Sequence, residues 1–367
     1  MTARWDDYVF AQDDGTDLPE DLWMGAQASS ALATMYVLGV GFDPRALVGL
    51  QRFLAIDHRH PPVVGLVELP PPSPASGLSA RAMAADNRAA FEQLLGETEL
   101  RTIPHTNVHA RSNAGPRVAR ALTTPAFVAG VGHLIIDMSS LPTNLSFPLV
   151  AAALRSIDRQ VNGFPSELQI VTCENPDVDA AIEELGISDA DIVGGFRGAL
   201  ERDSDPTGTV IWAPVIGERA GPALQAIHDL LQPGDVCPVL PFPARNPRRG
   251  DDLVLEHQVV LLDAFRVNPG NLIYADERNP FDLYRTLGRL HHGFQHALRL
   301  LQPTTLVLST HTSKLLSIGV LLAAYEYALP LVAAPAIDYE LADVDLTAFS
   351  LSNQLACAWI TGTPYAC

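Results

Sequence analysis

The chain has 367 residues and a formal charge of −18, with 47% hydrophobic and 18% charged residues. That length and apolar content suit two domains with sizeable cores and exclude wholesale disorder. The acidic surplus excludes non-specific binding to DNA or RNA, whose affinity rests on phosphate contacts, but leaves room for a local pocket holding one small anion.

Four cysteines, Cys173, Cys237, Cys357 and Cys367, form no CxxC pair, so zinc-ribbon spacing and a disulfide framework are not expected. The acidic opening, MTARWDDYVFAQDDGTDLPEDLW, lacks a signal-peptide core. No apolar run reaches the roughly 20 residues of a membrane helix. The expectation is a cytoplasmic protein without a membrane partner.

Residues 1–30 read as an irregular lead-in. A first Rossmann-like lobe is expected over 31–187. Met35–Val40 is a strand running into Gly41, Phe42, Asp43, Pro44 and Arg45, with Asp43 as cap and Pro44 in the first turn of a helix from Ala46 to Ala55. A strand at Val63–Leu69, the stiff loop PPPSPASG, a helix at Ser79–Leu95 and a strand at Leu100–Ile103 follow. A helix is expected over Pro116–Gly130, a strand over Leu134–Met138, a helix over Phe147–Val161, a strand over Leu168–Cys173 and a helix over Val178–Leu185. The strands are continuous apolar runs, the pattern of burial on both faces in a parallel sheet.

Ser188–Gly208, rich in Gly, Asp and Ser, reads as the boundary, and a second lobe is expected over 209–367. Its strands are Thr209–Ile216, Val236–Leu240, Asn271–Tyr274, Leu306–Leu308 and Leu331–Ala334, with a tail strand near Ala358–Thr361. Its helices are Gly221–Leu231, Phe281–Leu301 capped by Asn279 and Pro280, and Leu315–Tyr327. The fold class is α/β, two Rossmann-like lobes with mainly parallel sheets.

In such folds ligands bind beyond the carboxyl ends of the strands, where loops meet helix starts. Three loops occupy that place. Ser309, Thr310, Thr312, Ser313 and Lys314 offer hydroxyls and an ammonium group at a helix N-terminus, a seat for an anion; a polar loop with a capping residue and a solvated lysine is the plainer reading. No Walker A motif is present. Gly39, Gly41, Asp43 and Arg45 allow close backbone approach and offer a guanidinium group, although the third glycine of a dinucleotide fingerprint is absent; structural Asp43 and exposed Arg45 are the alternative. Asp137, Ser139 and Ser140 end a central strand. They lack the GxSxG elbow of a serine nucleophile and also fit a helix-entry turn. Gly217, Glu218 and Arg219 hold the equivalent place in the second lobe, and Arg245, Arg248 and Arg249 form a basic cluster. His292 and His296 have HxxxH spacing on a helix, which reads as surface rather than metal site.

Three of these stretches together, GFDPR (41–45), DMSSLP (137–142) and the final strand, lysine loop and helix with Lys314, Gly319, Pro335 and Tyr339, resemble Rossmann-like, CARF-related proteins of prokaryotic conflict and antiviral loci. Thr143 stands where that pattern has a basic residue after SSLP, and HTSK replaces its GxK loop. The resemblance implies a nucleotide-sensing defence component acting with a protein partner or as a homo-oligomer. The expected ligand is a small anion of the nucleotide class, lined by Gly41, Asp43, Arg45, Asp137, Ser139, Ser140, Ser309, Thr312 and Lys314. No cofactor and no metal are expected. The rivals are an enzyme on a nucleotide or sugar phosphate, with Asp137 or Asp43 as base and Lys314 as stabiliser, and a non-catalytic scaffold.

Overall fold

A computed structural model describes residues 3–104, 111–198, 209–298, 304–342 and 352–365. The elements run β1 (Val9–Gln12), α1 (Pro19–Ser29), β2 (Ala33–Val40), α2 (Val48–Ala55), β3 (Val63–Glu68), α3 (Gly77–Leu95), β4 (Glu99–Ile103), α4 (Arg111–Leu122), β5 (Val131–Asp137), α5 (Thr143–Asp158), β6 (Glu167–Glu174), α6 (Pro176–Ala181), β7 (Ile182–Ile187) and β8 (Asp191–Ile192). They continue with β9 (Thr209–Val215), α7 (Gly221–Leu231), β10 (Asp235–Val236), β11 (Val239–Pro241), α8 (Arg249–Glu256), β12 (Ile273–Ala275), α9 (Pro280–Leu298), β13 (Thr304–Thr310), α10 (Lys314–Glu326), β14 (Val332–Ala333), β15 (Ala336–Leu341) and β16 (Gln354–Thr361). The chain divides into two compact units, one of Tyr8–Gly186 with Ala336–Cys367, the other of Met1–Asp7 with Ile187–Pro335.

The first unit holds a seven-stranded sheet in the order β1-β16-β6-β5-β2-β3-β4. Strands β2 to β6 are mutually parallel and β16 runs antiparallel to β6. Counted along the chain, the parallel strands lie 3-2-1-4-5, the doubly wound order, with its reversal between β2 and β5. One face packs Tyr36, Leu38, Val64, Leu66, Ile135 and Val171 against Trp23, Leu50 and Phe53 of α1 and α2. On this core the lead-in is ordered into β1 and α1, because Trp23 is fully buried there. The tail strand forms and pairs with β6 of this unit, whereas the sequence placed the tail with the second lobe.

Helices α4 and α6 run over other residues than expected. Helix α4 starts five residues before Pro116, and Gly115 lets it press on α5: a Cβ there would stand 2.2 Å from the Asn144 carbonyl oxygen. Helix α6, capped by Asn175, stops at Ala181, and the chain becomes the extended β7, which pairs with β15.

The second unit holds a five-stranded sheet. Strand β9 pairs in parallel with β13 on one side and with β10 and β11 on the other, and β12 lies beyond β11. Leu308 bridges in parallel to Leu331, ahead of β14. The reversal of strand order falls between β9 and β13. Helix α9 is capped as expected, Asn279 accepting from the Phe281 and Asp282 N–H groups at 3.0 and 3.3 Å. Cys173, Cys237 and Cys357 are buried free thiols. No described helix is long and apolar enough to cross a membrane.

Candidate functional site

The expected site residues divide between the two reversals of strand order. Gly41, Asp43, Arg45, Asp137, Ser139 and Ser140 gather at the β2/β5 reversal of the first unit. Ser309, Thr312 and Lys314 belong to the second unit.

At the β2/β5 reversal the polar side chains are bonded to one another. Asp137 is 2% exposed. Its Oδ2 accepts from Tyr36 Oη at 2.7 Å, and its Oδ1 accepts from the Ser139 N–H and Oγ–H at 2.8 and 2.5 Å. Ser139 Oγ accepts in turn from the Cys173 N–H at 2.8 Å. Ser140 Oγ donates to the Gly39 carbonyl at 2.6 Å. Burial pushes the Asp137 carboxyl up to about 6, against the bonds from Ser139 and Tyr36, which favour its charged form.

Arg45 is buried and forked onto Asp43, with Nε–Oδ1 at 3.0 Å and Nη2–Oδ2 at 2.9 Å, while Nη1 donates to Asp179 Oδ1 at 2.8 Å. The Asp43 carboxylate also accepts from the Arg45 N–H, and α2 begins only at Val48, so Asp43 caps a turn rather than the helix. Asn87 donates to the Gly41 and Asp43 carbonyls at 2.8 and 2.9 Å. The glycines admit leucines: a Cβ on Gly39 would stand 2.6 Å from Leu141 Cδ2, and one on Gly41 3.2 Å from Leu69 Cδ1. Strand β15 adds Tyr339 against Phe42, with ring centroids 5.8 Å apart, and Asp338, which accepts from Ser73 and Ser76. The arginine and aspartates that read as ligand contacts in the sequence are saturated by protein groups.

The β9/β13 reversal is built differently. Its loops touch through backbone: a Cβ on Gly217 would stand 1.8 Å from the His311 carbonyl oxygen, and the Val215 carbonyl accepts from the His311 N–H at 2.9 Å. Buried His257 holds the Gly217 carbonyl through Nε2 at 2.8 Å. Below the loop, Trp212 Nε1 donates to Ser309 Oγ at 3.0 Å, and Ser309 Oγ meets His311 Nε2 at 3.1 Å. Burial, with His257 adding to it, lowers His311 to about 4, so near neutral pH the ring is uncharged. Ser309 is 0% exposed, whereas His311 is partly exposed. Thr310 bonds Ser317 at 2.8 Å and Ser313 Oγ caps α10 by accepting from the Leu316 N–H at 3.3 Å. Of the loop's hydroxyl groups, that of Thr312 makes no bond among the described residues. Thr312 and Lys314 are partly exposed on either side of Ser313, the N-cap of α10.

The neighbouring loops are laced around Arg249. Its guanidinium donates to Glu218 Oε2 at 2.9 Å and pairs with Glu277, which also accepts from the Arg245 N–H at 2.7 Å. The Arg219 N–H donates to Glu256 Oε1 at 2.6 Å. Arg245 and Arg248 are exposed. His257, Trp212 and Glu256 carry no local sequence signal that joins them to this rim, because their partners lie far from them along the chain. His292 and His296 are exposed on α9, and no group of three His, Cys, Asp or Glu among the described residues could hold a metal.

No protein-family model matches the sequence, and no curated protein does. Among solved structures the chain is similar to a type III CRISPR defence DNA nuclease activated by cyclic oligoadenylate, with TM-score 0.46 and 10% identity, over 81% of this chain and 64% of that one. The chain thus spans less than two thirds of that nuclease, and a likeness this distant carries no functional argument.

Proposed function

We propose that this protein is a non-catalytic binding component for a small phosphorylated ligand of the nucleotide class, seated at the β9/β13 reversal. The observation that carries the reading is the partly exposed start of α10, where Thr312 and Lys314 stand beside the backbone contact of Gly217 with His311 and Thr312. A lysine and a hydroxyl at the positive end of a 13-residue helix suit an anion. Catalysis finds no support in the groups at hand: Asp137 is enclosed by three donors, Asp43 is tied to Arg45, and the Ser309 hydroxyl is fully buried beneath Trp212.

An antiviral setting and a protein partner belong to this proposal through the sequence resemblance alone. A second reading, a scaffold, is favoured by the saturated β2/β5 reversal. Thermal stability against mono-, di- and cyclic nucleotides, wild type beside Lys314→Ala, separates them. A ligand at a hundredfold excess over Kd adds about 2.7 kcal/mol. A shift lost in Lys314→Ala supports binding at α10; no shift with any nucleotide favours the scaffold.

A further inference from the structure

Resting on the nucleotide reading, we infer that Phe242 and Tyr274 form the subsite that stacks the base of the ligand.

Phe242 is 56% exposed and Tyr274 50%, and they are the two aromatic side chains left exposed among the described residues. Their ring centroids are 6.1 Å apart at 76°, an edge-to-face pair. Their place follows from strand register. Leu240 is opposite Tyr274, and Phe242 comes two residues after Leu240, on the same face of the sheet. The Phe242 N–H donates to the Ala275 carbonyl at 2.7 Å, which fixes this turn at the carboxyl end of β11 and β12. That is the end of the sheet at which doubly wound folds bind ligands.

A chain of contacts runs from this loop to the proposed phosphate seat. The loop that begins at Phe242 reaches Arg249, which bonds Glu218, the neighbour of Gly217. Gly217 touches His311 and Thr312. Within the loop, Arg249 is occupied by Glu218 and Glu277, whereas the exposed Arg248 side chain makes no bond among the described residues. Exposed aromatic faces are the chemistry that holds a nucleobase, through stacking. The −18 charge of the chain opposes a long polyanion and selects a small ligand.

Calorimetric titration of the full chain tests this, using the four nucleoside 5′-triphosphates and inorganic tripolyphosphate. The variant is Phe242→Leu/Tyr274→Leu, with melting curves as the fold control. Wild type is expected to bind at least one triphosphate more tightly than tripolyphosphate. The double leucine variant is expected to weaken that nucleotide by about tenfold or more and to leave tripolyphosphate within about twofold. Equal binding of nucleotide and tripolyphosphate by wild type, or unchanged nucleotide binding by the double variant, overturns the base subsite and leaves the phosphate seat standing. No binding of any probe by wild type overturns both.

Discussion

Tyr36 Oη lies 2.7 Å from Asp137 Oδ2, across the neighbouring strands β2 and β5. Gly49 of α2 lies directly on this pair: a Cβ there would come within 2.0 Å of Tyr36 Oη and 2.9 Å of Asp137 Oδ2. The place where a doubly wound sheet usually receives a ligand is filled by an internal hydrogen bond and a helix. Gly49→Ala therefore overpacks the core, and a loss of roughly 1–3 kcal/mol is expected in urea unfolding. An unchanged midpoint would mean that α2 moves aside freely.

Asp137 titrates in a defined direction. Its carboxyl rises from 3.8 to about 6 in the folded chain, so its favourable contribution is complete below 3.8 and is lost as pH rises through 6. Asp137→Asn removes that dependence. The melting temperature of Asp137→Asn minus that of wild type is expected to grow from pH 4.5 to pH 7.5, by the equivalent of roughly 3 kcal/mol at most. His133, lowered to about 3, and His311, lowered to about 4, act oppositely: their contributions are present above 6.5 and are lost as pH falls toward 4. They are common to both proteins and cancel in the difference.

Arg45 joins Asp43 and, 134 residues away in sequence, Asp179. Removing one member of a buried pair leaves an uncompensated charge, so Arg45→Ala is expected to cost about 3–5 kcal/mol. Arg45→Ala should nevertheless leave ligand affinity at α10 unchanged in those molecules that remain folded. Loss of affinity at unchanged stability would return Arg45 to the role of ligand clamp that its sequence suggested.

Gly217→Ala tests the β9/β13 rim. The added methyl collides with the His311 carbonyl, a backbone atom that no side-chain rotation can clear. Reduced melting temperature together with weaker nucleotide binding is expected, whereas Gly293→Ala, inside α9 at a position where a Cβ meets nothing within 4 Å, should leave binding unchanged and raise the melting temperature slightly.

Arg249→Ala frees Glu218 and Glu277 at the same rim. Two carboxylates without their guanidinium partner should repel a phosphate, so affinity should fall about tenfold at low salt and less at high salt. Affinity that is insensitive to the change would place the ligand away from this loop.

The sequence by itself determined the elements whose signal is local. Continuous runs such as LIID and TVIWAPV are strands because burial on both faces requires apolar residues at every position, and Asn279–Pro280 starts a helix because that chemistry acts within one turn. It also placed every candidate loop at the carboxyl end of a strand. Tertiary structure decided which of them remain open. Whether Arg45 meets a ligand or Asp179, whether Gly39 admits a phosphate or Leu141, and whether the tail joins β6 all depend on partners more than a hundred residues away. A sequence pattern shows which groups need a partner, and only the folded chain supplies it.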